Sequence, residues 1–200
     1  MALLVVEPSA QEIFERIREK YAALADGFLV KAEVQKGTGV MGSKMRFELS
    51  GAQAGCRQYD CKAVLNGDFE SYASPEEVCE YSRRSHEWDC APSGRTNLRW
   101  LYDDSLARVE VMDWSVVDRA EVSNEKGHWV LRYGYKADPE IRQTVWVREE
   151  DWIVTRIQRE SRREMVEVVF RRVQLGTKPA LDSFRFVPPK GARRAKWLRR

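Results

Sequence analysis

The second half of this chain is a succession of short strand-like segments joined by turns, and this pattern constrains the fold most strongly. From Asn97 onward no stretch shows a sustained helical period. Successive segments lie about 8 to 16 residues apart, which favours an antiparallel meander over a parallel sheet with crossover helices. The predicted strands of this half are Leu98–Tyr102, Ala107–Trp114, His128–Lys136, Gln143–Arg148, Trp152–Arg159 and Met165–Val173.

The first half contains two predicted helices. Ser9 is a suitable cap, Glu12 completes a capping box, and apolar residues recur on one face, which predicts a helix over Ser9–Leu24. Ser74 as a cap, then a proline at the first helical position and two glutamates in the first turn, predicts a second helix that ends near Ser85.

Strands and an irregular segment are predicted between these helices. Apolar and polar residues alternate from Phe28 to Gln35, which is typical of a half-buried strand, and Met45–Leu49 is predicted to be a second strand. The cysteine-bearing segment Gly51–Gly67 is predicted to be irregular. Together these elements predict the α+β class.

Length and composition fit one domain. Two hundred residues, 43% hydrophobic and 32% charged, supply a core and a solvated surface. We expect a single domain over residues 1–200 with flexible ends at 1–8 and 193–200. The net charge of +3 gives no reason to expect a nucleic-acid partner. Basic residues nevertheless crowd the C-terminal end, as a solvated terminus or as a patch for anionic lipid. They are Lys190, Arg193, Arg194, Lys196, Arg199 and Arg200.

The N-terminal residues lack the features of a signal peptide. They have no basic head, no long apolar stretch and no small-residue cleavage site. The apolar run Ala2–Val6 is far shorter than the ~20 residues that span a bilayer. Either the protein is cytosolic or this is a mature form with a new start, and we expect the second.

The cysteines are clustered. Cys56, Cys61, Cys79 and Cys90 fall within one short stretch, and an even, local set suits disulfides in an oxidising compartment. We favour Cys56–Cys61 with Cys79–Cys90, because both pairs close short loops. Free thiols are one alternative. Zinc with His86 as a further ligand is another, although the spacings do not match a structural zinc knuckle.

Catalytic motifs are missing from the sequence. It contains no nucleophile elbow, no glycine-rich phosphate loop and no H-E-x-x-H. His86 and His128 are its only histidines, so a histidine-based triad has few candidates. Carboxylate pairs such as Glu149–Glu150 lie where turns are predicted, where solvated acids are usual. We therefore expect no enzyme, no cofactor and no metal.

Aromatic and branched side chains on the strands offer two interpretations. Trp129, Leu131, Tyr133 and Tyr135 alternate on one side of their strand. They either fill an ordinary core or line a hydrophobic cavity that the helices leave open. Periodicity does not separate the two, and protein interiors are normally filled densely.

The C-terminal region carries an additional pattern. Ser183–Val187 alternates as a predicted final strand, and a proline pair and a glycine end it. This F-x-F-x-P-P-K-G ending resembles that of the periplasmic outer-membrane lipoprotein carriers, the LolA-like family. Asn97–Asp103 with the strand that follows is similar to the family's L-W-x-Y-D-P hairpin, and Met45–Phe47 to its R-F-x-W strand, although Leu49 replaces the tryptophan.

This resemblance implies a fold and a function. The fold would be a strongly curved antiparallel sheet, an incomplete β-barrel, covered by two or three helices. The function would be to shelter the acyl chains of a lipoprotein or lipid during transfer between membranes in the periplasm. Arg46 would be a lid latch. The expected cavity lining is Phe28, Val30, Val34, Phe47, Trp100, Trp129, Leu131, Tyr133, Phe184 and Phe186.

Partners and an alternative follow from the same resemblance. A carrier would be monomeric and would meet membrane-bound donor and acceptor proteins. The alternative is a non-catalytic envelope sensor or protein-interaction module on the same scaffold. A cavity distinguishes the carrier, whereas a filled core and an exposed docking patch distinguish the module.

Overall fold

The computed structural model describes residues 7–38, 41–53, 59–74, 76–92, 114–162, 164–177 and 185–197. Helix α1 is Ala10–Tyr21, followed by a 3-10 turn at Ala22–Asp26, and a second 3-10 turn is Trp114–Val116. The strands are β1 Phe28–Thr38, β2 Met41–Gln53, β3 Tyr59–Leu65, β4 Phe69–Ala73, β5 Glu77–Ser82, β6 Glu87–Pro92, β7 Val117–Glu125, β8 His128–Tyr135, β9 Arg142–Arg148, β10 Val154–Glu160, β11 Met165–Leu175 and β12 Arg193–Arg194.

The first predicted helix is confirmed with its cap. The side-chain hydroxyl of Ser9 accepts a hydrogen bond from the amide of Glu12, and the carboxylate of Glu12 accepts one from the amide of Ser9. Ile13, Phe14 and Ile17 are buried on one face of the helix. The reciprocal cap fixes where the helix begins, and the apolar face fixes which side packs.

The strands form one twelve-stranded sheet in the order β12-β6-β5-β4-β3-β2-β1-β11-β10-β9-β8-β7. Neighbours are antiparallel except for the short β12–β6 pair. The order is two meanders, β1 to β6 and β7 to β11, joined where β1 pairs with β11. The described strands do not close into a barrel, and the antiparallel prediction is confirmed.

The described residues show less helical cover than predicted. The described residues contain one α-helix, so two or three covering helices are not confirmed. None of the described helices is long and apolar enough to cross a membrane.

The predicted helix from Ser74 to Ser85 is wrong. The hydroxyl of Ser74 does accept bonds from the amides of Glu76 and Glu77, as a cap would, but the chain then continues as strand β5. Val78, Cys79 and Tyr81 are buried between β4 and β6. A cap satisfies only one or two amides, whereas pairing with two neighbouring strands satisfies the whole segment.

Further segments differ from prediction, and strands β4 and β6 were not predicted either. Much of the segment predicted as irregular, Gly51–Gly67, is paired, because β2 continues to Gln53 and β3 begins at Tyr59. Strand β7 was not predicted, since charged residues interrupt its alternation. The predicted final strand is wrong over 185–187, which has no strand structure, and the rest of it lies outside the described residues, as do the strands predicted between 97 and 113.

The sheet has two faces, fixed by the cross-strand partners. Phe28, Val30 and Ala32 of β1 point to the side on which α1 packs, which we call the helix face. Tyr72 of β4 and Trp88 of β6 point to the opposite side, which we call the outer face. The large hydrophobic core lies between α1 and the helix face of β1 and β7 to β11.

Candidate functional site

The helix face carries the candidate site. Helix α1 packs against strands β1 and β8 to β11, and the apolar side chains between them form one buried cluster. Helix α1 contributes Ile13, Phe14, Ile17 and Tyr21. The ring of Phe14 contacts that of Tyr133 edge-on at 5.3 Å between centroids. The cluster consists of aromatic and aliphatic side chains, which makes it an apolar surface with α1 as its cover.

Most of the predicted cavity residues that the structure describes come together here. Those on β1 and β8 are buried in the cluster or packed against it, including Val34, which is half-buried. In the described structure α1 occupies the space above them. These residues are Phe28, Val30, Val34, Trp129, Leu131 and Tyr133.

The remaining predicted residues lie elsewhere. Phe186 contacts Tyr72 and Trp88 on the outer face, at 5.2 and 5.7 Å between ring centroids, and is not part of the cluster. Trp100 and Phe184 lie outside the described residues, and so do the side chains of Arg46 and Phe47, although the backbone of β2 places Phe47 beside Ala32.

Trp129 is the unusual member of the cluster. Its side chain is 5% exposed, and its indole N–H has no hydrogen-bond acceptor among the described residues. A buried donor left without a partner costs about 1 to 3 kcal/mol. An apolar ligand with one oxygen atom would accept a hydrogen bond from this indole N–H. A purely hydrocarbon core offers no such acceptor.

Two contacts fasten the C-terminal end and the exposed side of α1. The Tyr21 hydroxyl accepts a hydrogen bond of 3.1 Å from the amide of Val154, and burial raises the pKa of Tyr21 above its usual value. The guanidinium of Arg16 lies 5.0 Å from the ring centre of Trp152, whose φ of 61° is unusual for a residue other than glycine. Releasing α1 therefore means breaking one buried hydrogen bond and one cation–π contact and exposing the apolar side chains that the helix buries. These two latch contacts were not predicted from the sequence.

A second cluster lies on the outer face around Glu70. This carboxylate is 6% exposed; it accepts hydrogen bonds from Tyr72 and Arg83 and pairs with Lys62 at 2.9 Å. Burial opposes its ionisation, but the hydrogen bonds from Tyr72, Lys62 and Arg83 outweigh burial and lower the pKa of Glu70 to about 2. The cluster ties β3, β4 and the turn after β5 together.

The C-terminal segment 185–197 is attached to the edge of the sheet beside this cluster. The amide of Arg193 donates to the carbonyl of His86 at 3.0 Å, and that of Ala195 to the carbonyl of Trp88 at 2.7 Å. The indole of Trp197 donates to Glu80, whose pKa is raised by burial against the opposing effect of that bond. Part of the end expected to be flexible thus forms β12.

The predicted disulfide Cys79–Cys90 is confirmed. The two residues are cross-strand partners on β5 and β6, with their Cα atoms 4.1 Å apart. Glu77 lies close to both sulfurs, but bonded cysteines offer no thiolate to a metal. The imidazole of His86 contacts the Tyr81 hydroxyl instead, at 2.8 Å. The pairing Cys56–Cys61 lies outside the described residues and side chains.

A groove of about 560 Å³ lies near β7 and the turn after β8. Its lining includes three arginines and three carboxylates, so its charges balance and its character is polar. It is therefore not the predicted apolar cavity. Those charged residues are Asp118, Arg119, Glu121, Arg132, Arg142 and Glu160.

The fold has counterparts among solved structures. No protein-family model and no curated protein matches this chain. An uncharacterized conserved protein from Thermus thermophilus is similar with a TM-score of 0.53 at 13% identity, over 94% of this chain and 99% of that one. This match establishes the open antiparallel fold and leaves function to other evidence.

Lower-scoring matches include LprF and one protein named for the family that the sequence resembles. LprF from Mycobacterium bovis has a TM-score of 0.49 at 11% identity, over 94% of this chain and all (100%) of that one. The LolA superfamily protein NE2245 from Nitrosomonas europaea has a TM-score of 0.45 at 11% identity, over 90% and 99%. At 11% identity and TM-scores below 0.5, these likenesses carry no conclusion about function.

Proposed function

We propose that this protein is an extracytoplasmic carrier that shelters an acyl chain of a lipoprotein or lipid against the helix face while α1 moves aside. It works without catalysis, as a periplasmic monomer that receives cargo from one membrane-bound partner and delivers it to another. The confirmed disulfide supports a compartment outside the cytoplasm.

The observation that carries the proposal is the apolar cluster beneath a single described helix, in which the indole N–H of Trp129 has no acceptor among the described residues. An acyl ester supplies a hydrocarbon chain for the cluster and a carbonyl oxygen for the indole N–H. Burying one methylene gains about 0.8 kcal/mol, so a 16-carbon chain could gain roughly 13 kcal/mol before ordering costs. That gain is large enough to compete with the side chains of α1 for the same surface.

Binding of the acyl chain then shifts the population of the protein from a closed form to a loaded form. In the closed form Phe14 and Ile17 occupy the surface, and in the loaded form the acyl chain replaces them. Release requires only that α1 returns, so a partner that favours the closed form unloads the cargo.

The experiment uses the purified full chain in two steps. Native mass spectrometry and organic extraction test for bound acyl species, and titration with the fluorescent fatty acid cis-parinaric acid measures affinity. We expect saturable binding that Trp129→Phe weakens by up to roughly tenfold, because phenylalanine keeps an aromatic side chain but has no N–H donor. Trp146→Phe is the matched control, since Trp146 stacks on Arg156 at 4.3 Å, on the outer face. No acyl species and no saturable binding would contradict the carrier.

The alternative function is a non-catalytic sensor or interaction module. The closed packing of α1 favours it, because Tyr21 and Phe14 already fill the cluster. This alternative predicts that α1 stays closed and that acyl probes do not bind. Hydrogen exchange of the α1 amides with and without cis-parinaric acid separates the two, since only the carrier exposes α1 when the probe is present.

A further inference from the structure

The segment 185–197 concentrates positive charge. Its sequence, RFVPPKGARRAKW, contains five basic residues and no acidic residue, whereas the entire chain carries a net charge of only +3. These positive charges lie at one edge of the sheet, where β12 pairs with β6. A local concentration of positive charge attracts a protein to an anionic surface.

Backbone pairing and ring contacts hold the segment that carries these charges against the sheet. Strand β12 pairs with β6, and the carbonyl of Lys190 lies 3.3 Å from the imidazole Nε2 of His86. Phe186 packs between Tyr72 and Trp88 and so secures the beginning of the segment. Segment 185–197 therefore forms an ordered surface along the edge of the sheet. We call this surface the basic edge.

Among the described residues, an acidic side chain pairs with only one of the five basic residues of the basic edge. Arg193 pairs with Glu87 at 2.7 Å, and Arg194 lies over the ring of Trp88 at 5.0 Å. Arg185, Lys190 and Lys196 are exposed, and among the described residues no acidic side chain pairs with them. Because they are exposed, these three side chains are accessible to an external anion.

One exposed apolar side chain lies between the basic residues in the sequence of this segment. Val187 is 74% exposed, compared with 43% for Val116 and 37% for Met165, the other large exposed hydrophobic residues in the described part of the chain. It is followed by two prolines, which stiffen the backbone at that point. An isolated apolar side chain flanked by basic residues fits the interface of a bilayer, where the apolar group enters the acyl boundary and the charges meet the headgroups.

We propose that the basic edge docks the protein on an anionic lipid surface, with Arg185, Lys190 and Lys196 at the phosphates and Val187 in the interface. A fluid bilayer adapts to Val187 without a preformed groove, and the charge supplies the long-range attraction. This docking does not depend on the carrier function, because it uses the sheet edge and not the helix face.

The test measures binding of the full chain to phosphatidylcholine vesicles with and without phosphatidylglycerol, by sedimentation at low and physiological salt. We expect binding only to the anionic vesicles, with weaker binding as salt rises. The triple variant Arg185→Glu, Lys190→Glu, Lys196→Glu should lose roughly a hundredfold in partitioning, since each basic residue contributes about fivefold near such a surface. The control is Lys20→Glu, Lys126→Glu, Arg172→Glu, which changes the net charge equally at exposed sites elsewhere.

A second pair of variants keeps the test decisive if the triple variant folds poorly. Val187→Ser should weaken vesicle binding severalfold, whereas Val116→Ser should leave it unchanged. Failure of the wild type to bind anionic vesicles would overturn the proposal, as would equal losses in the two triple variants. Binding to polyglutamate but not to vesicles would also overturn it and would indicate an acidic protein partner.

Discussion

Glu70 and Glu80 show how neighbouring strands give two carboxylates opposite properties. Glu70 on β4 faces outward and receives hydrogen bonds from three side chains, so its pKa is lowered to about 2. Glu80 on β5 points to the helix face and receives one from Trp197, so burial prevails and its pKa is raised. The side chains of a strand alternate between the two faces of the sheet. The register of pairing therefore decides which carboxylate lies beside basic side chains.

Glu70→Gln should lower stability and flatten its acid dependence. The wild-type carboxylate titrates near 4.5 when unfolded and near 2 when folded, so its contribution is complete above about pH 4.5 and is lost as the pH falls toward 2. We expect a loss of about 2 kcal/mol at pH 7, with the difference from wild type vanishing near pH 2. Urea denaturation at pH 7, 4 and 2.5 measures this. A constant difference at all three values would contradict the assignment.

Glu80→Gln should act with the opposite sign. The folded protein favours the protonated form of Glu80, so this residue destabilises the fold increasingly as the pH rises above the unfolded pKa of 4.5. A neutral amide still accepts the bond from Trp197. The variant should therefore equal or exceed wild-type stability at pH 8, in the same urea experiment. A clear loss at pH 8 would show that the charge itself is needed.

At the scale of elements, α1 is a cover held by few polar contacts. Tyr21→Phe removes the acceptor of the Val154 amide but keeps the ring, which should cost about 1 to 2 kcal/mol. We expect faster hydrogen exchange in α1 and faster uptake of cis-parinaric acid, because the closed form loses stability. Tyr135→Phe is the control, since its hydroxyl donates to Gln143 on β9 and not to a group of α1. Equal effects of both variants would exclude a latch role for Tyr21.

The β5–β6 hairpin depends on its disulfide. Cys79 and Cys90 are 11 residues apart, and a closed loop of that length stabilises by about 3 kcal/mol in the chain-entropy model. Replacing both with alanine should lower the midpoint of thermal unfolding and weaken the attachment of β12 to β6. Circular dichroism measures the first effect and proteolysis near Gly191 the second. A reductant should reproduce both effects in the wild type and should not change the attachment of β12 in the variant.

At the scale of the whole molecule, β1 and β11 join two meanders that are distant in sequence. Val30 and Val168 are buried on the helix face at this junction, on β1 and β11. Val168→Ala should cost about 1 to 3 kcal/mol, and tryptophan fluorescence and circular dichroism should still report one coincident transition. Val187→Ala, at an exposed site, is the control. Separate transitions for the two probes would show that the halves unfold independently.

Local order was predictable from the sequence alone. The capping box of Ser9 and Glu12, the alternation of β8 to β11 and the short loop closed by Cys79 and Cys90 are signals between near neighbours, and the structure confirms them. These signals are reliable because the groups that satisfy them lie within a few residues or on the next strand of a meander. The resemblance in the C-terminal ending also indicated the fold.

Tertiary structure decided what depends on distant partners. The residues after Ser74 carry helix-start signals but form β5, since β4 and β6 supply hydrogen bonds along its entire length. Phe186 was predicted to line the cavity, yet it lies on the outer face because Tyr72 and Trp88 receive it there. The stability of such a pairing depends on both segments, so the sequence of either segment alone does not predict it.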